Sequence, residues 1–270
     1  MMTQTLLYDT QKVIGNQWSK HQSPEQARVL GLARDALRFV PATGQGYRFE
    51  DFRKSLEPGA HPPAEASDQP RDDFASLEGR MNSTKGFFTK LRDATDSAEE
   101  KGLIQVILDT LHFISSTGQH SAFGEYLEHL EAGAPPYVIA TFDTKEEAAA
   151  WLENHPNPPD FANVLIADSY HDVMHDRETN TRRLLRNRSI EYYLAELKQE
   201  EPPVAAASFA TLEEAAAWLK AQPEPARWTW VSIAGEFYLT VYHPHIHHRA
   251  LYPLSMSKGY EVEPDEPRGD

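Results

Sequence analysis

Apolar positions fall into two regimes along the chain. In the first half they recur three and four residues apart, and in the second half they alternate or gather in short runs. Leu30, Ala33, Leu37 and Val40 form one such helical stripe, and Ile104, Ile107, Leu111 and Ile114 form the same stripe again at an offset of 74 residues. Ser23-Pro24 provides an N-cap with proline in the first turn of the first copy. Ser97 with Glu100 forms a capping box for the second. Both stripes stop at Thr-Gly-Gln, where Gly44 and Gly118 fit the left-handed position that closes a helix. Phe49, Phe52 and Leu56, matched by Phe123, Tyr126 and Leu130, predict a short amphipathic helix after each glycine. Upstream, Leu7 and Ile14 match Met81 and Phe88 on a further helix. Each unit is therefore expected to hold three helices. Residues 36–62 and 110–136 align without a gap, so the all-α domain, residues 1–134, reads as an internal repeat with an exposed linker at 58–73.

A second repeat, at an offset of 67, occupies residues 135–260. Phe142-x-Thr144-x-Glu146-Glu147-Ala-Ala-Ala-Trp151-Leu152 recurs as Phe209-x-Thr211-x-Glu213-Glu214-Ala-Ala-Ala-Trp218-Leu219. Tyr137–Phe142 reads as a strand, and Thr144–His155 as a helix opened by the Thr144/Glu147 capping box, with Thr211/Glu214 its counterpart. Trp151 and Trp218 are expected to pack the helix onto the sheet. The runs around Val164–Ile166 and Val231–Ile233 turn through Ala167-Asp168 and Ala234-Gly235 into a further strand, the signature of a hairpin. Phe237, Leu239 and Val241 alternate with Tyr238, Thr240 and Tyr242, which predicts one buried and one half-exposed face. Each unit is thus β-α-β-β, and a helix over 189–198 leads through Glu200-Glu-Pro-Pro203 into the second. The expected fold class is α+β, with the two units either sharing one sheet or stacking two. The acidic, proline-rich stretch 261–270 reads as a disordered tail.

Charge changes the picture of partners. The 270 residues carry 41 acidic and 26 basic side chains, a formal charge of −15. Split at residue 135, the balance is 14 − 19 = −5 and then 12 − 22 = −10. Such a chain repels nucleic-acid phosphates and steers in a basic macromolecule. The absence of cysteine excludes disulfides, thiolate metal sites and cysteine nucleophiles. No apolar run reaches the roughly 20 residues of a membrane span. The N-terminus lacks a charged segment followed by a long apolar one, so the expected location is the cytoplasm, with no membrane partner.

Two local clusters suggest chemistry. In His243-Pro-His245-Ile-His247-His248, an extended chain would put His243, His245 and His247 on one face, where neutral imidazoles bind transition metals. Pro244 argues against a regular strand there, and the sister repeat has no histidine between Asp176 and Thr181. Its His171 and His175, four apart on a strand, stand about 13 Å apart, too far to share one ion. The metal assignment is therefore expected to fail, and no cofactor is expected. Arg177, Arg182, Arg183, Arg186 and Arg188 form a basic cluster in which Arg182 aligns with Arg249. They serve either to neutralise nearby acids or to bind an anion or partner. No nucleophile elbow, phosphate loop or dinucleotide fingerprint is present.

These features point to a non-enzymatic protein–protein interaction module, in its most specific form an acidic immunity protein or inhibitor of a basic toxin or effector. The alternatives are a metal-dependent enzyme using the C-terminal histidines and a repeat scaffold that binds peptides. Tyr238 and Tyr242, with Tyr170, Arg182 and Arg249, are the expected partner contacts, because aromatic anchors carry binding energy and charge sets the association rate.

Overall fold

The computed structural model describes residues 2–20, 23–56, 76–200 and 203–260. The expected linker at 58–73, the tail at 261–270 and part of the Glu200–Pro203 connection lie outside the described residues. The fold class is α+β. Six helices come first: α1 (Met2–Trp18), α2 (Pro24–Ala42), α3 (Gly46–Ser55), α4 (Leu77–Ala94), α5 (Ala98–Ser116) and α6 (His120–Glu131). They are followed by β1 (Thr141–Phe142), α7 (Lys145–Asn154), β2 (Phe161–Ile166), β3 (Ser169–Asp176), β4 (Thr181–Arg186) and α8 (Ser189–Glu200). The chain then runs through β5 (Ser208–Phe209), α9 (Leu212–Ala221), β6 (Trp228–Ile233), β7 (Glu236–His243) and β8 (His248–Pro253). Two compact units result. One is Met1–Glu128 with Asn157–Ala162 and His175–Thr181, and the other is His129–Pro156, Asn163–Met174 and Arg182–Asp270.

In the helical unit the caps form where the sequence places them. The Ser23 hydroxyl accepts from Gln26 N while the Gln26 side chain accepts from Ser23 N, a complete capping box. Ser97 accepts from Glu100 N, but the Glu100 carboxylate takes the Thr95 hydroxyl instead of closing the box. Gly44 and Gly118 sit at φ 69° and 70°. Gln45 N and Gln119 N reach back five residues to Val40 O and Ile114 O, satisfying the last turn. The short helices are exchanged between repeats: Phe49 of α3 meets Phe113 of α5 at 5.5 Å, and Phe123 of α6 meets Phe39 of α2 at 5.3 Å. All four rings are fully buried, each contributing roughly 1.5–3 kcal/mol. Gln45 Nε2 donates to Gln119 Oε1 (2.7 Å) where the two Thr-Gly-Gln loops meet. Among the described residues, nothing lies against Gly118, whereas the first loop is covered. Asp160 Oδ1 accepts from Gly46 N (2.9 Å) at the start of α3, and Pro159 lies against Gly44. Burial holds the Asp160 carboxyl above its ordinary range, against the amide donors that pull it down.

In the mixed unit each sequence repeat builds its own sheet, in order β1-β2-β3-β4 and β5-β6-β7-β8. Each has one strand more than the β-α-β-β pattern: β4 and β8. β1 pairs parallel with β2, and β5 with β6, because a helix crosses over between them. β7 pairs antiparallel with β6 and β8. The two-residue turns hold Ala167 and Asp168 at φ 46° and 60°, and Ala234 and Gly235 at 49° and 86°, the left-handed pairs that match strand twist. The sheets stack. Leu165 and Tyr170 of the first join Trp230, Leu239, Val241, Ala250 and Tyr252 of the second, together with Ile190 and Leu194 of α8, in one buried cluster. On the outer face of the first sheet, Ala148, Trp151 and Leu152 of α7 cover Val164, Ile166 and Val173. On the outer face of the second, Ala215 and Trp218 of α9 cover Val231 and Ile233. The layers run helix, sheet, sheet, helix.

Candidate functional site

The histidine-rich segment does not form one strand face. β7 ends at His243, Pro244–Ile246 make a 3-10 turn, and His247 takes the left-handed φ of 50°, so His243, His245 and His247 diverge. The proline lacks the amide needed to continue the ladder. His243 instead turns inward on the Leu239/Val241 face and is fully buried. It stacks on the buried His129 of α6 at 6.4 Å and lies edge-on to His245 at 6.3 Å. The His245 ring stacks on Tyr137 (4.2 Å) and its Nε2 donates to Val138 O (2.5 Å). Burial pushes His243 down to about 3, helped by His129, His245, His248 and Arg227, and pushes His129 down to about 4. Neither ring nitrogen of His243 has a hydrogen-bond partner among the described residues. His248 turns away to Asp168 Oδ1 (2.7 Å). Among the described residues no group of three or more histidines and acids is arranged to hold a metal ion. His129 and His243 form a buried pair held in the neutral state.

The five expected partner contacts do not form one exposed surface, although Tyr242 and Arg249 touch. Tyr170 is fully buried and donates its hydroxyl to Pro136 O (3.2 Å), so it has no surface to offer a partner. Tyr238 is half-buried in the cluster beneath α9, because the sheet face expected to be open is the face that helix covers. Tyr242 on the same face is half-buried too, with the Arg249 guanidinium over its ring at 4.6 Å. Arg249 Nη2 donates to Gln222 O (3.1 Å) at the end of α9. Arg182 does the same for α7, donating to Leu152 O (2.7 Å) and to Glu153 O. The aligned arginines therefore cap the two outer helices, satisfying terminal carbonyls at the negative end of each dipole. Three more of the cluster are engaged, Arg177 with Asp51 (2.7 Å), Arg186 with Glu191 (2.6 Å) and Arg188 over the Tyr260 ring (5.6 Å), while Arg183 is exposed.

With both sheet faces covered, α7 and α9 form the outer surface of the mixed unit. Buried Ala148 and Leu152, and Ala215 and Leu219, face inward; Glu146, Ala149, Ala150 and Glu153, and Glu213, Ala216 and Ala217, face solvent. Glu147 is held by its capping box, with Oε2 accepting from Asp143 N and Thr144 N, and Glu214 Oε2 accepts from Ala210 N. Glu146 and Glu213 make no such bond among the described residues and lie exposed on an alanine-flattened surface. Four carboxylates oppose one lysine between Asp143 and Asn154, and three oppose one between Thr211 and Glu224. Leu212, half exposed, adds an apolar contact at the start of α9. The glutamates were visible in the repeat signature, but their pairing in the sequence drew attention to capping and away from the member of each pair left outside.

Among the described residues no helix is long and apolar enough to cross a membrane. No protein-family model matches the chain, and neither the curated proteins nor the solved structures give a match.

Proposed function

We propose that the protein is a non-enzymatic, cytoplasmic interaction protein and, in its most specific form, an acidic inhibitor or immunity protein that neutralises a basic toxin or effector. The observation that carries this reading is the pair of outer helices α7 and α9. Each presents a net excess of exposed carboxylates on a surface of small side chains, within a chain of net charge −15. Arg182 and Arg249 turn their guanidinium groups to the carbonyls at the helix ends, and Lys145 and Lys220 leave both segments with an excess of acid. A surface of one sign accelerates encounter with a partner of the other by roughly 10–10³-fold, and the gain is lost in salt. Alanines that let a partner approach closely, with Leu212 beside them, supply contact area once the complex forms.

The test uses the full chain as bait alongside the double variant Glu146→Lys/Glu213→Lys, whose changes are at exposed positions and leave the caps intact. The reading requires a basic protein that the parent captures at low salt and the variant captures several-fold less. Partners that are neutral, acidic or recovered equally by both would refute it, as would turnover of a substrate by the chain alone.

A further inference from the structure

A cleft of about 380 Å³ opens in the helical unit, lined by Arg28, Gly31, Leu32 and Asp35 of α2, Arg80 of α4 and Leu127 of α6. The position 74 residues away shows why it is open. There Asp109, the counterpart of Asp35, pairs with Arg53 of α3 (2.9 Å) and accepts from Gln105 Nε2 (2.8 Å), which is itself held by Arg92 (2.8 Å). The counterparts of Arg53 and Gln105 are Leu127 and Gly31. The guanidinium and the amide that fill the second position are thus missing from the first, and a cleft takes their place.

The cleft has gained charge that its counterpart lacks. Arg28 stands where the other repeat has Gly102, and Arg80 where it has Leu6. Neither side chain has an ion-pair or hydrogen-bond partner among the described residues, and Arg80 Nε is buried. Asp35 is already paired with Arg34 (2.9 Å), which lies over Trp18 (5.7 Å). The unbalanced charge in the cleft is therefore positive, despite the acidity of the chain. Two guanidinium forks suit an oxyanion, and Leu32 and Leu127 supply an apolar wall. The volume lies at the lower end of the roughly 300–1,000 Å³ that ligand sites occupy.

We propose that this cleft is a binding site for a small organic anion, with a carboxylate or phosphate held between Arg28 and Arg80 and an apolar portion against Leu32 and Leu127. The site is independent of the acidic surface of the mixed unit. The test titrates the full chain separately with isovalerate, inorganic phosphate and neutral isoamyl alcohol, following leucine methyl resonances. Saturable shifts at Leu32 and Leu127 with isovalerate or with phosphate, and none with the alcohol, are expected; which anion saturates at lower concentration identifies the head group. Arg80→Gln should weaken binding by about tenfold or more, the loss of a charge-assisted contact. Gly31→Gln/Leu127→Arg, which restores the side chains of the filled position, should abolish it with the dichroism spectrum unchanged. The proposal is overturned if neither anion saturates, if the alcohol binds as well, or if a folded Arg80→Gln protein binds with parental affinity.

Discussion

Replacing the fully buried His243 with leucine should stabilise the protein, and more so in acid. The imidazole occupies the inner face of the stacked sheets, with no partner for either nitrogen among the described residues. Burying an unmatched polar group costs roughly 1–3 kcal/mol, which leucine, of similar size, removes. Proton linkage adds to this. A histidine of the unfolded chain titrates near 6.5, whereas His243 is pushed down to about 3 and His129 to about 4. The folded state therefore binds fewer protons, and its stability is present above pH 6.5 and lost as pH falls toward 4 and 3. Between pH 7 and pH 5 each histidine withdraws about 2 kcal/mol, at 1.36 kcal/mol per unit below the unfolded value. The advantage of His243→Leu should thus grow from roughly 1–3 kcal/mol at pH 7 to roughly 3–5 kcal/mol at pH 5. Urea unfolding of the full chain, followed by tryptophan fluorescence at the two pH values, measures both; Trp228 and Trp230 pack in the same core. A variant less stable than the parent at pH 7, or one that loses as much as the parent between pH 7 and 5, would refute a neutral, unpartnered His243.

Other consequences are open to the same kind of measurement. Gly118→Ala meets free space and costs only its left-handed φ, about 1 kcal/mol, while Gly44→Ala has the same φ but places a Cβ 2.5 Å from that of Pro159; its midpoint should fall by at least twice as much. Gly46→Ala should be worse than Gly118→Ala as well, since its Cβ would come within 2.1 Å of Asp160 Oδ2 and displace the carboxylate from the start of α3. Arg182→Ala and Arg249→Ala should each lower stability by about 1 kcal/mol in thermal melts, because each uncaps one outer helix; a loss from only one of them would break the equivalence of the two sites.

Local signals were legible in the sequence and enclosure was not. Ser23, Ser97, Thr144 and Thr211 cap helices as their spacing predicts, since a cap depends on residues three apart. The two-residue turns at Ala167 and Ala234 follow for the same reason. The fourth strands were hidden. β4 is Thr-Arg-Arg-Leu-Leu-Arg, whose arginines mask the alternation, and β8 follows a proline turn that reads as an end of the sheet. The tyrosine face is half-exposed as its alternation predicts, but alternation shows only that a strand has two faces, not that α9 lies over one of them. Asp160 reaches Gly46 across 114 residues, and no periodicity records such a contact. The arginine cleft is visible only when the repeats are superposed and the mismatches Gly31/Gln105 and Leu127/Arg53 are read as missing volume.

Whether the acidic outer helices receive a basic partner is decided by the association rate of the full chain with the captured protein as ionic strength rises. The rate should fall steeply between about 50 and 500 mM salt while dissociation changes little, with Glu146→Lys/Glu213→Lys starting lower and falling less. An association rate indifferent to salt, or identical for parent and variant, would contradict it.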